Sequence, residues 1–134
     1  MIKRVDHIGI VVRDIDETAA LYEKAFGLKP ERVETILAEQ WKGKIAVFEL
    51  SEGAEIELIQ PIDVPELAQF LQERGQGLHH IALVLDDIDE TLKSLAAKGV
   101  KLRDKEARRG LAGMIAFVDA EATGGVLIEL VQKV

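Results

Sequence analysis

Hydrophobic and polar residues alternate over 5–12, with His7, Gly9 and Val11 on one face and Ile8, Ile10 and Val12 on the other. A period of two is that of a strand. Asp14 and Glu17 follow in capping-box spacing, and Ile15, Ala19, Tyr22 and Phe26 then recur at helical spacing. The pattern predicts a helix over 15–26, buried through those four residues and stopped by Gly27. Residues 32–36 allow a strand, while 37–41 are compatible with more than one conformation. Strands are expected over 44–50 and 54–60, joined by a turn at Ser51-Glu52-Gly53. A connector over 61–64 leads to Pro65, which suits the first turn of a helix running to Arg74.

The pattern then starts again. Residues 7–18 read HIGIVVRDIDET and residues 80–91 read HIALVLDDIDET, identical at eight of twelve positions with a constant offset of 73. A strand over 79–85 puts His80, Ala82 and Val84 opposite Ile81, Leu83 and Leu85. Asp87 and Glu90 repeat the capping-box spacing ahead of a helix over 88–98, closed by Gly99. Strands over 112–118 and 126–133 flank a turn at Ala122-Thr123-Gly124-Gly125. Self-similarity of this kind marks an architecture of repeated units. Each half reads as a βαβββ module, about 4–60 and 78–133, with the helix near 65–74 between them. The expected fold is α+β, two paired modules forming an open barrel-like cup with helices outside.

Composition narrows what such a fold could do. A chain of 134 residues suits one domain, 1–134, with a proper core. The net charge of −7 argues against a general nucleic-acid or anionic-membrane surface. With no cysteine, disulfides and thiolate metal sites are excluded. The start turns polar too soon for a signal peptide, and no apolar run approaches the length of a membrane span. A cytoplasmic enzyme or binding protein is the expectation.

The repeat also pairs residues with chemistry. His7 and His80 are equivalent, and their strand faces are otherwise small. Glu57 and Glu129 stand in matching Ile-Glu-Leu triplets at an offset of 72, a one-residue slip already present between Gly27 and Gly99. A carboxylate between large apolar neighbours is costly to bury unless paired or bound to a metal. His7, Glu57, His80 and Glu129 therefore form a candidate ligand set for one divalent ion, such as Co, Mn, Ni, Mg or Zn, with open positions. His79 points away from His80 and reads as a rim residue, and Glu55 reads as solvated.

These residues resemble the vicinal oxygen chelate (glyoxalase/bleomycin resistance) superfamily, and within it most nearly the methylmalonyl-CoA epimerases. The stretches that carry the likeness are Asp6-His7-Ile8-Gly9-Ile10, Ile56-Glu57-Leu58-Ile59-Gln60-Pro61, Gly75-Gln76-Gly77-Leu78-His79-His80 and Gly124-Gly125-Val126-Leu127-Ile128-Glu129-Leu130. The resemblance implies metal-dependent epimerisation of methylmalonyl-CoA, by proton transfer at the carbon α to the thioester, in a homodimer. It implies Glu129 as both ligand and catalytic base, with Glu39 a weaker candidate in a stretch about two residues longer than the family pattern. A basic cluster of Lys101, Arg103, Lys105, Arg108 and Arg109 could meet the CoA tail or be a solvated loop. Two alternatives share the fold: a glyoxalase I-type lactoylglutathione lyase, and a non-catalytic drug-binding resistance protein.

Overall fold

The computed structural model describes residues 2–51 and 53–134; Met1, and Glu52 in the expected turn, lie outside the described residues. The chain divides into two compact units, one of residues 8–79 and one in which the residues up to His7 join 80–134.

In the first unit the end of β1 (Ile2–Val11) leads to α1 (Ile15–Phe26), β2 (Arg32–Leu37), β3 (Lys42–Glu49), β4 (Glu55–Asp63) and α2 (Pro65–Arg74). Its strand order is β2-β3-β4-β1, and the β2–β3 and β3–β4 pairs are antiparallel. Alternation sorts the strand residues onto two buried faces. Val12, Ala46, Phe48 and Leu58 pack with Ile15, Ala19 and Tyr22 of α1. Val11, Ile45, Val47 and Ile59 pack with Leu67, Phe70 and Leu71 of α2.

The start of α1 is built as its spacing demands: the Asp14 carboxylate accepts from Glu17 N at 3.0 Å, and Ile15 N donates to Gln60 Oε1 at 2.9 Å. At its end Gly27 takes the left-handed conformation (φ 70°) and donates back to Glu23 O.

Two expectations fail here. Phe26 is 73% exposed rather than buried. Leu28, beyond the left-handed turn at Gly27, packs on the α1 cluster, while Tyr22 stacks on Phe48 at 5.3 Å and meets Phe26 only edge-on at 6.3 Å. The expected connector over 61–64 is mostly strand, because β4 continues through Pro61 to Asp63. Pro61 pairs with Gly43 beside the register shift at Lys42/Gly43, where the regular ladder is already interrupted.

In the second unit the start of β1 joins β5 (Gly77–Leu85, from His80 on), α3 (Ile88–Ala97), β6 (Arg108–Gly110), β7 (Gly113–Val118) and β8 (Ile128–Gln132). The strand order is β1-β5-β8-β7-β6, with β5–β8 parallel and β8–β7–β6 antiparallel. Leu85, Ala116, Val118 and Leu130 form one core face with Ile88 and Leu92 of α3. Ala82, Ile115 and Val131, with Phe117 alongside, line the other.

The α3 entry copies that of α1. Asp87 accepts from Glu90 N at 3.1 Å, and Ile88 N donates to Gln132 Oε1 at 2.8 Å. The turn expected around 122–125 begins as a short 3-10 helix, Ala120–Thr123, with Asp119 accepting from Glu121 N at its start. That helix delays β8 to Ile128, two residues later than the hydrophobic run suggests. Arg108 and Arg109, which the sequence puts ahead of the strand at 112, lie on β6, paired across to Ile115 and Met114. Each half is thus strand, helix and three strands, in the α+β class. No helix among the described residues is long and apolar enough to cross a membrane.

Candidate metal centre

Three strands of the second unit each contribute one buried side chain to a single point. His7 comes from β1, His80 from β5 and Glu129 from β8; they are 4%, 5% and 6% exposed. The parallel ladder sets Glu129 opposite Ala82. The small Ala82 methyl leaves the carboxylate room to lean towards His80, two residues earlier on the same face. The antiparallel ladder sets Phe117 on the other side of Glu129, and its ring meets His80 edge-on at 5.8 Å.

His7 Nε2 and His80 Nε2 are 3.0 Å apart, and Glu129 Oε1 lies 3.1 Å from the first and 3.5 Å from the second. The imidazole planes stand nearly perpendicular, at 89°. Behind His7, Nδ1 stands 2.7 Å from Asp6 Oδ2, while Lys133 Nζ reaches Asp6 Oδ1 at 2.8 Å. Burial alone would raise the Asp6 carboxyl, but the contacts from His7 and Lys133 outweigh it and hold its pKa at about 2. Burial likewise opposes ionisation of Glu129, and the adjoining imidazoles of His7 and His80 again win, holding it at about 2.

Glu129 Oε1 is nevertheless buried with no hydrogen-bond partner, its contacts to the two imidazoles being ion-pair contacts. A buried acceptor left in that state costs about 1–3 kcal/mol. A cation would satisfy it. The three ligand atoms lie within 4.8 Å of one another, a grouping that could hold a metal ion. Separations of 3.0 to 3.5 Å suit adjacent donors on one ion with bonds of about 2.0–2.2 Å. Two imidazole nitrogens and a carboxylate oxygen also suit a divalent first-row metal or Mg²⁺.

Glu57, the fourth residue expected from the repeat, belongs to the other unit. It sits half-buried on β4 opposite Val47 and is not among the three grouped residues. His79 packs edge-on against Phe70 of α2 at 5.0 Å, with Arg74 over the same ring, so it serves that helix contact. Glu39 is exposed in the short β2–β3 connection, where Ala38 and Trp41 exchange backbone hydrogen bonds. In the basic cluster, Lys101 pairs with Glu121 at 3.0 Å, and Arg108 pairs with Asp104 at 3.5 Å while lying over Phe117. Asp6 and Lys133 were given no role by the sequence pattern; the only signal was an acidic residue directly before His7.

The chain matches the sequence model of the Glyoxalase/Bleomycin resistance protein/Dioxygenase superfamily over residues 6–118. It is 39% identical over 129 residues to the Bacillus subtilis protein YqjC, which is uncharacterized, covering 95% of this chain and 90% of that one. The solved methylmalonyl-CoA epimerase of Mycobacterium tuberculosis is 34% identical and superposes with a TM-score of 0.86, over 99% of this chain and 89% of its own. A variant of the Streptomyces coelicolor methylmalonyl-CoA epimerase, solved in complex with 2-nitronate-propionyl-CoA, is 31% identical with a TM-score of 0.84, over 99% and 96% of the two chains.

Proposed function

Because the chain belongs to the Glyoxalase/Bleomycin resistance protein/Dioxygenase superfamily, we propose that it is a metal-dependent isomerase like the methylmalonyl-CoA epimerases, inverting the carbon between a thioester and a carboxylate. The observation that carries this reading is the convergence of His7 Nε2, His80 Nε2 and Glu129 Oε1, a buried acceptor with no hydrogen bond. His7, His80 and Glu129 would hold the divalent ion. When bound, the ion supplies Lewis-acid stabilisation of the charge that grows on the substrate oxygens as the α-proton leaves. The likeness to epimerases at 34% and 31% identity supports the substrate class, as does the acyl-CoA analogue in one of them.

The chain's own residues then have defined work. His7 and His80 orient the site through Nε2 and hold Glu129 ionised at neutral pH. The Glu129 carboxylate takes the α-proton. Ala82, Ile115, Val131 and Phe117 form a dry, apolar surround that strengthens every charge interaction at the site. Arg109, exposed on β6, is the candidate contact for a CoA phosphate, with Arg108 already engaged by Asp104 and Phe117. The chain works as one domain, in a cytoplasmic homodimer.

The test is deuterium wash-in. Metal-loaded protein in deuterated water should label the α-carbon of methylmalonyl-CoA, and Glu129→Gln should lower the rate by about 10²–10⁴-fold. A glutathione hemithioacetal should turn over poorly. Faster turnover of the hemithioacetal would assign the protein to glyoxalase I-type chemistry instead.

A further inference from the structure

The two histidines are repeats of each other, but the residues in front of them are not. Position 79 is His, whereas position 6 is Asp. His79 packs on Phe70. Asp6 instead turns its carboxylate to the imidazole of its neighbour, with Oδ2 2.7 Å from His7 Nδ1. It is 6% exposed, and its other oxygen lies 2.8 Å from Lys133 Nζ and 3.6 Å from Arg4. A carboxylate this deeply buried persists only when both oxygens are engaged, and here each is.

An ionised carboxylate can only accept. In the neutral imidazole the proton between Asp6 and His7 therefore belongs to Nδ1, which leaves His7 Nε2 as the acceptor of its 3.0 Å hydrogen bond with His80 Nε2. We propose that Asp6, tethered by Lys133, is a positioning residue that locks His7 in the Nδ1–H tautomer and presents Nε2 as a ready ligand. A carboxylate behind a ligating imidazole fixes its ring and raises its donor strength. The consequence for metal affinity rests on the metal-centre reading above; the tautomer itself does not.

Two measurements separate the parts. In metal-free protein labelled with ¹⁵N-histidine, long-range proton–nitrogen spectra should show His7 as Nδ1–H. Asp6→Ala should shift it towards the Nε2–H form, and Asp6→Asn should fall between the two. In Co²⁺ titrations against a chromophoric chelator, Asp6→Ala should bind about 10–100-fold more weakly than the parent chain. Asp6→Asn, isosteric but uncharged, should recover part of that loss. If Asp6→Ala does not fold, Asp6→Asn carries both readouts. A parent chain with His7 in the Nε2–H form overturns the proposal. So does Co²⁺ affinity within about twofold of the parent in both variants. If the parent binds no Co²⁺ while the tautomer still follows Asp6, the positioning role stands and the metal-centre reading fails.

Discussion

At the scale of single residues, the centre owes its form to three buried donor atoms brought together, of which Glu129 Oε1 makes no hydrogen bond. His80→Ala removes one ligand that meets Phe117 edge-on and is not part of the helix-packed core. It should lose most of the bound metal, read by elemental analysis after gel filtration, while keeping a native circular dichroism spectrum. Unchanged metal content would place the site elsewhere. His7, His80 and Glu129 were legible in the sequence because the repeat pairs His7 with His80 and places Glu129 in one of two matching triplets. The role of Asp6 was not. Neighbouring residues on a strand normally face opposite sides, so alternation assigns Asp6 away from the histidine face, and only the coordinates show its carboxylate bonded to His7 Nδ1.

At the scale of elements, the two modules start their helices with the same device. A glutamine from the last strand of each module accepts from the first helical N–H: Gln60 from Ile15 and Gln132 from Ile88. Both contacts are part-buried. Gln60→Leu and Gln132→Leu should each cost about 1–2 kcal/mol, the range for a lost cap or an orphaned donor. Because they sit in different units, their effects in urea denaturation should add to within about 0.5 kcal/mol. The Asp14 and Asp87 caps could be read from spacing; the glutamines could not, since they act across more than forty residues of chain. The α1 cluster offers a contrast. Phe26→Ser should change stability by no more than about 0.5 kcal/mol, whereas Phe48→Ala, at a fully buried position, should cost about 3–5 kcal/mol. Equal losses would restore Phe26 to the core, where helical periodicity alone had put it.

At the scale of the whole molecule, metal and folding should be linked. An ion present at 100 times its dissociation constant adds about 2.7 kcal/mol to the folded state. For a chain of this size that is a rise in Tm on the order of 10 °C. Differential scanning calorimetry should show the rise, a chelator should reverse it, and Glu129→Gln should show little of it. A rise of the same size in Glu129→Gln would mean that the ion binds elsewhere. The amino-acid sequence by itself determined the α+β class, the two βαβββ modules, the three helices to within a residue, and His7, His80 and Glu129 as candidates. These follow from periodicity, capping residues and self-similarity, which act locally or repeat along the chain. Tertiary structure alone decided that Leu28 rather than Phe26 packs at the end of α1, that β4 runs on through Pro61, and that His79 serves the α2 contact. It also decided that three of the four expected ligands meet within the second unit, with Asp6 and Lys133 behind them. Those outcomes depend on which side chain fills a given space and which charge reaches another across strands, and no spacing along one chain encodes such distances.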